Sequence, residues 1–215
     1  MGILRGLNSA DKLNARSNTP GVRWLKVEDG KSVKIRIANA GSEDAPDYDE
    51  NRGAVLLIKE HVNPENFTKS AECTMEDEGR CFGCEMHQRD FKAGWRPKVR
   101  MYTNVIVEAP KEEPYVAVWG LGAGPKATTF STIRDYAEDN PAITATTWKL
   151  KRSGANTETT YSILPGTPDS EPFDFEPFNL FDLELAVRRI PYADQEAYYS
   201  NVKAATLTET TSGEW

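Results

Sequence analysis

Residues 61–87 read HVNPENFTKSAECTMEDEGRCFGCEMH and hold both histidines and all three cysteines of a 215-residue chain. The spacing is His61, eleven residues, Cys73, seven residues, Cys81, two residues, Cys84. Two thiolates separated by two residues, with Gly83 between them, can reach one ion from a single tight turn, and two more distant ligands complete a tetrahedron. The alternative, buried thiols without a metal, fits poorly with EDEGRC, which offers no apolar core to hide them. Three cysteines cannot all pair within one chain, and these lie too close together for the disulfide framework of a secreted protein. Three soft thiolates and one imidazole suit zinc, and four protein ligands leave no position open to water. One structural Zn2+ in a protein of the reducing cytoplasm is therefore expected. Either His61 or His87, three residues beyond Cys84, can supply the fourth ligand.

Outward from this segment the pattern is that of short strands. On the N-terminal side AVLLIKEHV (54–62) reads as a buried strand ending near His61, and an acidic loop precedes it. Further upstream, Val33, Ile35 and Ile37 alternate with Lys34 and Arg36 after a turn at 28–31, which predicts a strand with one apolar and one basic face. On the C-terminal side PKVRMYTNVIVEA (97–109) places Lys98, Arg100 and Tyr102 opposite Val99, Met101 and Thr103, and a Pro-bounded turn leads into the return strand YVAVWGLG (115–122). Phe130, Ile133, Tyr136 and Ala137 recur at helical spacing and stop before Pro141, so one short amphipathic helix is expected. Residues 146–166 give two more strands about a Gly-containing turn. Five or six strands, one helix and a long insertion at about 61–97 predict a mainly β protein built on a small, partly open barrel. The domain plan is a basic N-terminal arm (1–21), a core with the inserted metal subdomain (22–166) and an acidic C-terminal tail (167–215). In the tail, Phe173, Phe175, Phe178 and Phe181 alternate with acids and prolines, which suits an extended segment docked on the core, followed by a helix from about Pro191. TLTETTSGEW (206–215) has nothing with which to fold.

The net charge of −7 is unevenly spread. Residues 167–215 contain ten acids and three bases, so the remaining 23 acids and 23 bases balance in residues 1–166. The first 26 residues carry five bases against one acid. A basic head, a neutral body and an acidic tail are compatible with a polyanionic partner despite the acidic total. No apolar run is long enough to span a membrane, and no apolar signal core opens the chain. Catalysis is not expected. His61 is followed by VNP and Cys81 is preceded by Arg80, so the H-x-E and P-C-x-x-C elements of zinc deaminases are missing. There is no phosphate-binding G-x-x-x-x-G-K-[ST] loop, and WGLGAGPK (119–126) lacks the spacing of a dinucleotide fingerprint.

Together with RPKVRMYTNVIVEA (96–109) and KRSGANTETTYSILPG (151–166), the His/Cys stretch resembles the zinc-containing single-stranded DNA-binding proteins of tailed bacteriophages, typified by the helix-destabilising protein of T-even phages. The resemblance covers roughly residues 22–166. It implies an OB-fold, a five-stranded partly open barrel with an inserted zinc subdomain, in a protein that coats single strands during phage replication, recombination and repair in the cytoplasm of the infected bacterium. It places the zinc ligands at His61, Cys73, Cys81 and Cys84. It also implies cooperative self-association through the basic arm and contacts of the acidic tail with replication or recombination proteins. Such proteins track the phosphates with a positive groove and stack bases on aromatic rings. The residues expected to do this here are Lys34, Arg36, Arg96, Lys98, Arg100, Tyr102, Trp119, Trp148, Lys149, Lys151, Arg152 and Tyr161. The alternative function is a zinc-stabilised replication adaptor that recruits proteins without contacting DNA.

Overall fold

The computed structural model describes residues 21–108, 113–154 and 159–200. The expected N-terminal arm, apart from Gly21, and the 206–215 segment with Trp215 lie outside the described residues. Seven strands, β1 (Ser32–Ile37), β2 (Leu56–Asn63), β3 (Asn66–Glu72), β4 (Lys98–Glu108), β5 (Tyr115–Gly122), β6 (Thr146–Ser153) and β7 (Thr160–Pro168), form an antiparallel sheet that does not close. Its hydrogen-bonded order is β3-β2-β4-β1-β6-β7, with β5 paired to β4. The helices are α1 (Met75–Glu78), α2 (Phe82–Arg89), α3 (Thr128–Asp139), α4 (Leu183–Ala186) and α5 (Tyr192–Tyr199), with one 3-10 turn at Ile143–Ala145. The protein is mainly β, as expected, but the described residues form seven strands where five or six were expected. The extra pairing comes from within the insertion, where β3 returns antiparallel on β2. No helix among the described residues is long and apolar enough to cross a membrane.

The chain divides into two units. The first draws on Met1–Leu56, Tyr102–Leu121 and Thr128–Ala186, and the second on Leu57–Met101, Gly122–Ala127 and Val187–Trp215. In the first unit the strand order is β5-β4-β1-β6-β7. Counted along the chain, its first four strands lie side by side as 4-1-2-3, the order of a Greek key. Helix α3 occupies the long connection from β5 to β6.

Register explains the core of this unit. Ile35 faces Trp148 across β1 and β6, Val33 faces Leu150, and Leu150 faces Ile163 across β6 and β7. Ile35, Trp148 and Leu150 are fully buried. Each fully buried aliphatic side chain of this kind contributes about 1.5–3 kcal/mol. The period-two alternation of SVKIRI therefore points its apolar set inward, as the sequence predicts. In β4 the alternation fails, because residues 101–107 are buried without interruption. A strand covered on both faces has no solvent side to hold its polar residues.

Residues 169–186 pack on the strands of the first unit. Asp169 pairs with Arg36 at 2.7 Å, and the rings of Phe173 and Phe175 lie under the guanidinium groups of Arg36 and Arg52, each 4.3 Å from the ring centre. The buried Asn104 side chain clasps the backbone of Phe181, donating to its carbonyl and accepting from its N–H, both at 2.9 Å. The tail boundary expected at 167 falls inside β7, and the described residues 187–200 belong to the second unit. Asn104→Ala removes both clasping bonds to the part-buried backbone of Phe181, which should cost about 1–3 kcal/mol. A lower denaturation midpoint together with faster proteolysis within 169–186 is the expected outcome.

Candidate metal centre and basic sheet face

Four residues of the second unit converge. The imidazole nitrogens of His61 and the sulfurs of Cys73, Cys81 and Cys84 supply one ligand atom each, all within 4.8 Å of one another, and together could hold a metal ion. His61 lies near the end of β2, and Cys73 follows β3, which returns antiparallel beside it. Gly79, left-handed at φ 68°, ends α1 and leads the chain back toward Cys81. Cys81 is the N-cap of α2, and Cys84 sits in the first turn of that helix. The partial positive charge of a helix N-terminus favours thiolates there.

The choice between the histidines follows from a carbonyl group. His61 Nδ1 lies 2.7 Å from the carbonyl oxygen of Trp95. A carbonyl only accepts, so Nδ1 donates to it and Nε2 is the ring nitrogen turned toward the sulfurs, 3.3 Å from Cys84 Sγ. This is the outer-shell arrangement that orients metal-binding histidines. His87 stands outside the group, with its ring edge-on to Phe91 at 4.9 Å between centres.

Gly83 shows how tightly the site is drawn. A Cβ at that position would lie 2.3 Å from His61 Cγ and 2.7 Å from its Cβ and Cδ2. The glycine between the paired cysteines thus makes room for the imidazole as well as for the turn. Beside it lies an apolar cluster of Ala71, Trp95 and Tyr199, in which Trp95 meets Tyr199 and Phe82 edge-on at 5.0 and 5.8 Å. Helix α5 brings Gln195, which is fully buried. Its Oε1 accepts from the Phe82 N–H at 2.8 Å, and its Nε2 donates to Thr74 Oγ1 at 3.0 Å and to the Ile190 carbonyl at 2.9 Å. One amide therefore ties together the starts of α1 and α2, which carry the cysteines. Sequence reading missed Trp95, Gln195 and the steric role of Gly83, since each acts through distant chain segments rather than through spacing.

The thiols are unequal. Burial opposes ionisation of Cys81, but hydrogen bonding to His61 and to the backbone at Cys84 and Thr74 outweighs it and draws the thiol down to about 6. Burial pushes Cys84 up to about 12, with the neighbouring sulfurs of Cys73 and Cys81 adding to the effect, and burial also raises Cys73.

The residues expected to contact nucleic acid separate into two groups. Arg36, Tyr102, Trp119 and Trp148 are buried, at 4%, 6%, 5% and 0% exposure, which corrects their assignment as surface contacts. Trp148 points into the core, Tyr102 and Trp119 lie in strands buried on both faces, and Arg36 is covered by the 169–173 segment, bonding to Thr144, Thr147 and Asp169. Arg100 is half-buried against Glu60 at 3.3 Å, and Arg152 is half-buried, donating to the Val27 carbonyl at 2.9 Å. Lys34, Lys149, Lys151 and Tyr161 in the first unit are exposed, as are Arg96 and Lys98 in the second. Lys34 lies directly opposite Lys149 across β1 and β6, and Lys151 follows two residues on, so the three share one face beside the exposed Leu164 and Ser162 of β7. Glu108 of β4 flanks Lys34 on its other side.

No family model, curated protein or solved structure matches the chain. The candidate site therefore rests on its own geometry, which makes two measurable outcomes specific. Gly83→Ala should drive His61 from the sulfurs and weaken metal binding by about 10- to 100-fold, the scale of losing an outer-shell partner, with all four ligands still present. Competition with a chromophoric chelator reads this directly. The second outcome concerns pH. With Cys81 largely ionised at neutral pH and Cys73 and Cys84 protonated, metal binding should release about two protons per ion between pH 7 and 9. Affinity should then fall by about a hundredfold for each unit the pH is lowered in that window, after correction for the chelator's own protonation.

Proposed function

We propose that this protein binds single-stranded nucleic acid on the exposed lysine face of its Greek-key unit, with a zinc-clipped second unit as a structural accessory. The observation that carries this reading is the placement of Lys34 opposite Lys149, with Lys151 on the same face. Like charges directly opposite each other on a sheet are destabilising. Holding three of them together is useful to a surface that meets a polyanion.

Three further features support the reading. The five strands of the first unit, in Greek-key order with a helix between the third and fourth, fit the description of an OB-fold, whose sheet face binds oligonucleotides. The inserted His/Cys segment resembles that of the phage single-stranded DNA-binding proteins. The donor set of three sulfurs and one imidazole nitrogen is one that selects zinc, and four such ligands make a closed, structural site. Bound there, the ion would hold the starts of α1 and α2 against β2.

Titration of a fluorescent single-stranded oligonucleotide at several salt concentrations tests the proposal. Saturable binding that weakens with salt is expected, because phosphate contacts release counterions. Lys149→Glu with Lys151→Glu should flatten the logarithmic salt dependence by about 0.7 for each phosphate that is no longer neutralised. Removing the repulsion opposite Lys34 should at the same time leave the melting temperature unchanged or higher, so that binding and stability move in opposite directions. Absence of binding at low salt, with zinc bound and the protein folded, would overturn the reading in favour of an adaptor that meets only proteins.

A further inference from the structure

The rings expected to stack on bases are mostly buried, but the first unit leaves another indole open. Trp24 is 42% exposed, whereas Trp95, Trp119 and Trp148 are 7%, 5% and 0% exposed. Its backbone is nonetheless fixed. Residues 23–25 lie parallel to β5 through the Trp24–Val118 bridge, with Leu25 N–H donating to the Val118 carbonyl and Val118 N–H to the Arg23 carbonyl, both at 2.8 Å. The indole meets the buried Tyr102 ring edge-on, with 6.0 Å between centres and 68° between planes. Cations flank it in sequence. Arg23 is exposed with its guanidinium 3.3 Å from the centre of the Tyr115 ring, and Lys26 is exposed two residues beyond Trp24.

An exposed indole on a pinned backbone is costly to hydrate and has little orientational freedom left to lose. Such a ring is suited to receive the flat face of a base, which any of the bases presents. We propose that Trp24 is a base-stacking platform, with Arg23 and Lys26 placed for the adjoining phosphates. The inference rests on the single-strand reading above and adds to it the residue that meets the base.

The test compares an oligo-dT with an abasic oligonucleotide of equal length, which has the same phosphates and no bases. Trp24→Ala should weaken oligo-dT binding about tenfold or more while leaving the salt dependence and the abasic affinity unchanged. Trp24→Phe, which keeps a ring, should restore most of the loss. Melting temperature and metal content of both variants serve as checks on folding. Unchanged oligo-dT affinity in Trp24→Ala would overturn the stacking role while leaving the single-strand reading intact. Equal loss of both oligonucleotides would also overturn it, because Trp24 would then act through the fold. If the unsubstituted protein binds neither oligonucleotide, the single-strand reading fails, and the Trp24 platform fails with it.

Discussion

A carbonyl oxygen can only accept a hydrogen bond, so the 2.7 Å contact between Trp95 and His61 decides which ring nitrogen keeps its proton and which turns toward the sulfurs. The organisation of the second unit follows from that contact. The imidazole needs the space that Gly83 leaves, the two nearer cysteines need the turn of α2, and the start of α2 needs the Gln195 amide to receive its Phe82 N–H. The apolar cluster around Trp95 is small and largely aromatic. The binding free energy of a structural ion becomes folding free energy, so a metal held by these four residues would add directly to the stability of the unit.

The first unit solves a different problem, that of a sheet face rich in cations. Arg36 and Lys34 lie on the same side of β1, yet their environments differ completely. Arg36 has a carboxylate, two oxygen acceptors and the Phe173 ring, all brought by residues 144–173, and so its buried charge is matched. An unmatched guanidinium at that depth would be strongly destabilising. Lys34, two residues earlier, stays in water beside Lys149. The chain after β7 thus divides one basic strand into a structural half and a solvent-facing half.

This division marks the limit of what the sequence discloses. Spacing alone identified the thiols, because Cys81 and Cys84 belong to one turn, and alternation identified β1, whose Ile35 and Ile37 turn into the core. Period 3.6 likewise located α3, where Ile133 is buried and Tyr136 packs against Trp148 at 4.8 Å. Alternation identified β4 but could not reveal that residues 101–107 are buried on both sides, so that Tyr102 reads as a surface residue and lies in the interior. It also could not separate Lys34 from Arg36, since the segment that covers one of them is more than a hundred residues away. β3 was missed because NFTKSAE carries no clear two-residue pattern, and its pairing with β2 supplies the order that its side chains do not. The choice of His61 over His87 depended on the Trp95 carbonyl and on Gly83, neither of which has a signature in the spacing of ligands.

Gln195 sets an order of events during synthesis. Its bond to Thr74 closes across 121 residues, whereas every strand of the first unit precedes it in the chain. Domains fold largely as units while the chain is still being made. The Greek-key unit can therefore be complete while the cysteines have emerged but α5 has not. During that interval the turns that carry Cys73 and Cys81 lack the amide that bonds to Thr74 Oγ1 and to the Phe82 N–H, so the starts of the two short helices are tied to each other only once α5 arrives.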